Sequence, residues 1–347
     1  MNTFIFFIAL LIFIELFLQF YLRFLRNSFQ WLIIKDFDLN IKFKKKDIDK
    51  FRKNSYDKSL GWVTKSNLIK IDKVKSFGEK SNLKFKKVKY TQNNNGERYN
   101  PNYEGKLKKI FTFGDSFVFN RHVNDNDTWQ HRLSKYLNQN VVNYGVGNYG
   151  VDQSILRMNN VMKKKKNKIV LLGFVPETIV RVHSSWRHFY EYGNIFAFKP
   201  RYTLKNAKLN LIKNPLSDLK NLKNIKKKIN SLKKKDYWYK KKFEKDLIRF
   251  PFLLSIFKKF PKNLLIIFFL TLDKFFLSNY FYNLAWKIVL KSNFKNVIES
   301  YSNKNMVKLL VKEIEFFTKK VKQMNCKPAV IIFPYNEDVN YIKKNNY

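Results

Sequence analysis

The sequence predicts an α/β fold built on a parallel sheet, preceded by one membrane-spanning helix. Three observations carry that expectation. Continuous apolar runs at 110–113, 141–144, 168–174 and 328–334 alternate with segments of helical periodicity, the pattern of strands buried on both faces. The first run ends in Gly114-Asp115-Ser116, so a serine sits at the carboxyl end of a strand, where open α/β sheets place their sites. Residues 3–22, TFIFFIALLIFIELFLQFYL, approach the roughly 20 apolar residues that cross a bilayer.

Composition bounds what such a chain does. With 347 residues it makes one large domain or two small ones, and 45% hydrophobic residues exclude a wholly disordered chain. Lys+Arg 69 against Asp+Glu 26 gives a formal charge of +43, which suggests an anionic partner such as phospholipid or acidic glycan. Lysine is spread through loops and helices alike and no nucleic-acid reading motif occurs, so no nucleic-acid partner is expected. Cys326 is the only cysteine, which rules out an intramolecular disulfide and a thiolate cluster. Four histidines without paired spacing predict no metal site, and no cofactor is expected.

The elements follow in chain order. Residues 1–27 read as an uncleaved single-span anchor: Glu15 is its one internal charge, Arg23 and Arg26 flank it, and no small-residue cleavage site is present. Those arginines alone would keep the bulk of the chain cytoplasmic, yet in so lysine-rich a protein the rule leaves the side of the membrane unresolved. Residues 28–107 read as a loop-rich, partly β preface. The first part of the core, 108–205, carries three strands, a helix over 128–137 capped by Asp127 and a second helix over 151–163. An insertion, 206–300, follows. Pro215 opens its helical first half, striped by Leu216, Leu219, Leu222, Ile225, Ile229 and Leu232. Its second half is apolar and aromatic but too short to span, and reads as a cap on the sheet ahead of a surface dipping into the membrane. The core resumes over 301–347 with an amphipathic helix, 306–324, whose apolar face is Val307, Leu310, Ile314, Phe317 and Val321, and then the fourth strand.

The stretches FGDSFVFNRHVNDNDTWQHRL, VVNYGVGNYGVDQSILR and LLGFVPETIVR resemble the SGNH/GDSL hydrolase superfamily, and more narrowly its membrane-anchored bacterial members. YDKSLGW at 56–62, NNNGERYN at 93–100 and FKPRY at 198–202 extend the resemblance over nearly everything after the anchor. It implies a flavodoxin-like three-layer sandwich, extracytoplasmic placement, and ester hydrolysis or acyl transfer on a cell-surface carbohydrate. Ser116 would be the nucleophile, supported by Gly114 and Asp115, with an oxyanion site at the Ser116 and Asn148 backbones and Thr178. Arg181 and Arg187 would contact an acidic glycan, or else pair with nearby acids.

Three departures accompany the resemblance. Asn148 stands where the family offers a glycine N–H, and tolerates the same left-handed backbone. Pro176-Glu177-Thr178 replaces a block that supplies an Asn side chain, and an ionised Glu177 would repel an oxyanion. After PAVIIFP only YNEDVNYIKKNNY follows, without the family's Asp-x-x-His, which reads as a C-terminally truncated frame. The remaining bases are His122, His131, His183 and His188, each more simply a solvated or hydrogen-bonded side chain. The competing expectations are a non-catalytic glycan-binding or assembly protein on this fold, and a membrane-surface scaffold. The oligomeric state is left open.

Overall fold

In the computed structural model, which describes residues 2–75, 85–163, 165–258, 261–277 and 279–344, the four apolar runs form one sheet. Its strands are β1 (Ile110–Gly114), β2 (Val141–Asn143), β3 (Ile169–Phe174) and β4 (Lys327–Ile332). They lie in the order β4-β3-β1-β2, and every neighbouring pair is parallel. All five residues of β1 are buried, as a central strand of a parallel sheet requires. The fourth strand differs from its expected burial. It lies at the edge, and Val330 and Ile332 are 40% and 57% exposed.

Helices connect these strands. Trp129–Leu137 leads into β2, and Val151–Met162 joins β2 to β3. The N-cap of the first is Thr128 rather than Asp127, because the Thr128 hydroxyl accepts the His131 N–H (3.1 Å) while Asp127 closes a preceding 3₁₀ turn. The helix Lys304–Gln323 buries Met306, Leu309, Leu310, Glu313, Phe317 and Val321, a face rotated from the expected one. A carboxyl therefore enters the interior. Burial raises the Glu313 pKa well above the ordinary range, and the neighbouring Asp152 raises it further while Lys199 and Arg201 oppose.

The chain divides into two compact units at places other than the sequence boundaries. One comprises Lys46–Val182, Lys199–Asp218 and Ser300–Tyr347 and holds the sheet. The other comprises Met1–Lys45, His183–Phe198 and Leu219–Glu299 and is mainly helical. Two features of the sequence reading change. The start of the insertion is a β-hairpin, Arg201–Lys205 with Lys208–Ile212, and Pro215 occupies a turn, so the helical stripe begins only at Leu219. All six stripe residues are nonetheless buried.

The long first helix, Asn2–Ser28, belongs to the helical unit, and its stretch Thr3–Ser28 is long and apolar enough to cross a membrane. Its first half is exposed, with Phe4, Phe6 and Phe13 at 70%, 63% and 67%. In its second half Leu22 and Leu25 are buried, while Leu16, Phe17, Phe20 and Phe24 remain exposed. Leu22, Leu25 and Phe29 form one core with Phe252, Ile256, Ile266, Leu270, Ala285 and Val289. The apolar half of the insertion thus packs on the first helix, where the sequence reading had placed it on the sheet.

Candidate functional site

The site grows from the end of β1. Gly114 is required there because a Cβ would stand 2.1 Å from Gly173 O of β3 and 2.4 Å from Val118 Cγ2. Asp115 then caps the short helix Ser116–Phe119, its Oδ1 accepting the Phe117 N–H (2.9 Å). The other oxygen, Oδ2, accepts the Val175 N–H (3.0 Å) from the end of β3 and a longer bond from Arg181 Nη1 (3.4 Å). Burial pushes the Asp115 carboxyl above its usual pKa, opposed by the Arg181 guanidinium and by those two N–H groups.

The segment after β2 comes alongside. Val146 N–H donates to Gly114 O (2.9 Å), and Gly145 lies so close to the short helix that a Cβ would meet Phe119 N at 2.3 Å. Asn143 secures the approach, donating from Nδ2 to Val118 O (2.8 Å) and accepting the Gly145 N–H (2.9 Å). Asn148 follows, exposed and left-handed with φ 65°. Arg181 joins all three segments: it donates to Asp115, to Tyr149 O (3.2 Å) and to Glu177 Oε2 (2.7 Å).

Each residue singled out in the sequence thereby has a place. Ser116 is half-buried on the first turn, and its hydroxyl makes no hydrogen bond among the described residues. Thr178 is buried, with its oxygen accepting the Val151 N–H (3.2 Å) at the start of the next helix. Arg181, expected either on a glycan or in an ion pair, is 2% exposed and pairs with Asp115 and Glu177. Arg187 belongs to the helical unit, is fully buried and pairs with Glu191.

No histidine hydrogen-bonds to Ser116 among the described residues. His131 Nδ1 pairs with Asn100 Oδ1 (3.0 Å), His122 is exposed, and His183 is half-buried between buried neighbours. His188 is sealed in the helical unit, with Nδ1 accepting the Gly193 N–H (3.0 Å) and Nε2 facing Asp38 O (3.3 Å).

An aromatic wall beside Ser116 escaped the sequence reading. Phe117 meets Tyr335 edge-on at 5.3 Å and Phe333 at 6.0 Å, and Trp129 stands 6.1 Å from Phe333. Phe333 and Tyr335 come from the FPYNED stretch that follows β4, and nothing local in that stretch points to Phe117 or Trp129. No family model, curated protein or solved structure matches this chain.

Proposed function

We propose that this chain is an SGNH-type serine hydrolase or acyltransferase of flavodoxin-like architecture, acting through Ser116 on an acylated carbohydrate at a membrane. The observation that carries this reading is the position of Ser116. It follows the strand at which the sheet order reverses, since β1 lies between β2 and β3, and ligands of open α/β sheets bind outside the carboxyl ends at such a switch point. Across the sheet the strands lie in the order 2-1-3-4, the same as the start of the flavodoxin-like order.

The chemistry follows from the local geometry. Ser116 Oγ attacks the ester carbonyl while the Ser116 and Asn148 N–H groups hold the oxyanion. The hydroxyl proton passes to the alkoxy oxygen as the C–O bond breaks and the alcohol leaves, and water or an acceptor hydroxyl then takes the acyl group from Oγ and returns the proton. The rigid Asp115–Arg181 staple fixes both donors, while the aromatic wall offers flat surface to a sugar face or an acyl chain. One observation favours a second reading, glycan binding without chemistry: among the described residues no histidine is hydrogen-bonded to the Ser116 hydroxyl to take its proton.

A fluorophosphonate probe on the detergent-solubilised protein separates the two. Labelling that disappears in Ser116→Ala supports the enzyme. Absence of labelling in a protein whose unfolding remains cooperative would leave the binding reading.

A further inference from the structure

Within the helical unit, Lys241, Lys242, Lys245, Lys258 and Lys262 line a cavity of about 360 Å³ with a single acid, Asp246. The acid explains only part of that convergence. Asp246 Oδ2 accepts from Lys262 Nζ (2.7 Å) and the Tyr192 hydroxyl (2.7 Å), with Lys242 Nζ at 3.5 Å. Burial alone would raise its carboxyl, but Lys242 and Lys262 overcome that and hold it at about 2. Lys241 pairs with Glu299 (3.3 Å). Lys245 and Lys258 stand exposed on the rim, and among the described residues neither has a carboxylate within ion-pair distance.

Lys242 makes the cavity a built one. Its side chain is 4% exposed and its ammonium sits over the Tyr192 ring (3.8 Å to the centroid), with Trp31 and Tyr190 at 5.3 and 5.5 Å. A cation held that deep, beside others whose charge the one aspartate does not balance, sets a positive potential in a partly dehydrated space. Several point-charge ammoniums around a small cavity suit a compact anion with several oxygens, which is the chemistry of phosphate. The Ser292 hydroxyl, also on the lining, adds a neutral donor.

The apolar neighbours say what carries the phosphate. Phe257, 55% exposed, immediately precedes Lys258. On the helix Lys262–Phe276, Leu265 lies one turn beyond Lys262 and Phe268 one turn beyond Leu265, 39% and 52% exposed, so an apolar stripe starts beside Lys262 and winds away from it. The cationic cavity therefore opens at the head of an exposed apolar stripe, on the unit that also holds the apolar first helix.

We propose that this cavity binds the phosphate of an anionic phospholipid headgroup, with Lys245 and Lys258 supplying the unbalanced charge and the Leu265–Phe268 stripe receiving the acyl chain. Burial and the neighbouring Lys262 lower the Lys242 ammonium to about 7, while Asp246 and Glu191 favour its charged form, and a bound anion acts in the same direction as those two acids.

The test is the thermal unfolding of the full chain in a neutral maltoside detergent, titrated with dihexanoyl-phosphatidylglycerol, dihexanoyl-phosphatidylcholine or inorganic phosphate. The phosphatidylglycerol raises Tm with saturation and the zwitterionic lipid does not. Lys245→Ala with Lys258→Ala weakens the effect at least about tenfold, as the loss of two near-surface charges implies. Lys226→Ala with Lys227→Ala, exposed on the helix Ile225–Lys235, removes equal charge and leaves the effect intact. No stabilisation by phosphatidylglycerol, or equal weakening in both pairs, overturns the site. Inorganic phosphate matching phosphatidylglycerol at equal concentration overturns the lipid as its source. None of these outcomes bears on Ser116.

Discussion

Gly193 N–H can donate to His188 Nδ1 only while that nitrogen keeps its lone pair, so Nε2 carries the proton and points it at Asp38 O. Burial lowers this imidazole to about 4, against the pull of Asp38. The unfolded chain takes up the proton near the ordinary histidine value, so it binds more protons than the folded chain between about pH 6.5 and 4. Stability present above pH 6.5 is therefore lost as pH falls through that window and stays lost below it, by about 3 kcal/mol in all. His188→Gln removes this component. The difference in unfolding free energy between wild type and variant should shrink steadily from pH 7 to pH 4, and a pH-independent difference would refute the neutral tautomer. The same chemistry makes His188 an unsuitable base for Ser116: its proton acceptor is already engaged.

At the scale of elements, one charge ties two helices together. Glu15, alone among the apolar residues of the first helix, accepts the backbone N–H groups of Phe252 (2.5 Å) and Leu253 (3.0 Å), the orphan donors at the start of the helix Phe252–Phe257. Glu15→Ala leaves both donors unsatisfied among apolar neighbours, a loss of about 1–3 kcal/mol, whereas Glu15→Gln keeps one acceptor and should recover part of it. Thermal unfolding in detergent measures both, and an unchanged Tm for the alanine variant would show that the bond contributes nothing. From the sequence, Glu15 read as a lone blemish in a span, because nothing local reveals a partner more than two hundred residues away. The sheet was more legible, since continuous apolar runs and the Gly114-Asp115-Ser116 turn are local signals. The hairpin 201–212 was not. Its strands alternate polar and apolar residues over only five positions each, too short a run to stand out from the helical stripe that follows. At the site, the Ser116 turn could be read from its own residues. The Arg181 staple and the aromatic wall could not, because each joins segments from separate strand ends.

For the whole molecule, two forces favour a membrane and only one of them responds to salt. The formal charge of +43 attracts any anionic surface, but that attraction fades as the Debye length contracts from about 10 Å at 0.1 M salt to 3 Å at 1 M. The exposed half of the first helix is indifferent to ionic strength: Phe6, Leu10 and Phe13 are 63%, 41% and 67% exposed and carry no charge to be screened. If that helix inserts, the full chain reconstituted with neutral phosphatidylcholine vesicles stays in the pellet after a 1 M NaCl wash. Phe6→Asp, Leu10→Asp and Phe13→Asp together make insertion unfavourable, each aspartate costing about 2.5–3.5 kcal/mol near a span's centre. The triple variant should then leave neutral vesicles altogether and bind anionic ones only at low salt, as a lysine-driven surface protein does. Release of the wild-type chain by salt would instead assign its membrane affinity to charge, and would make the apolar face of the first helix a surface for protein rather than lipid.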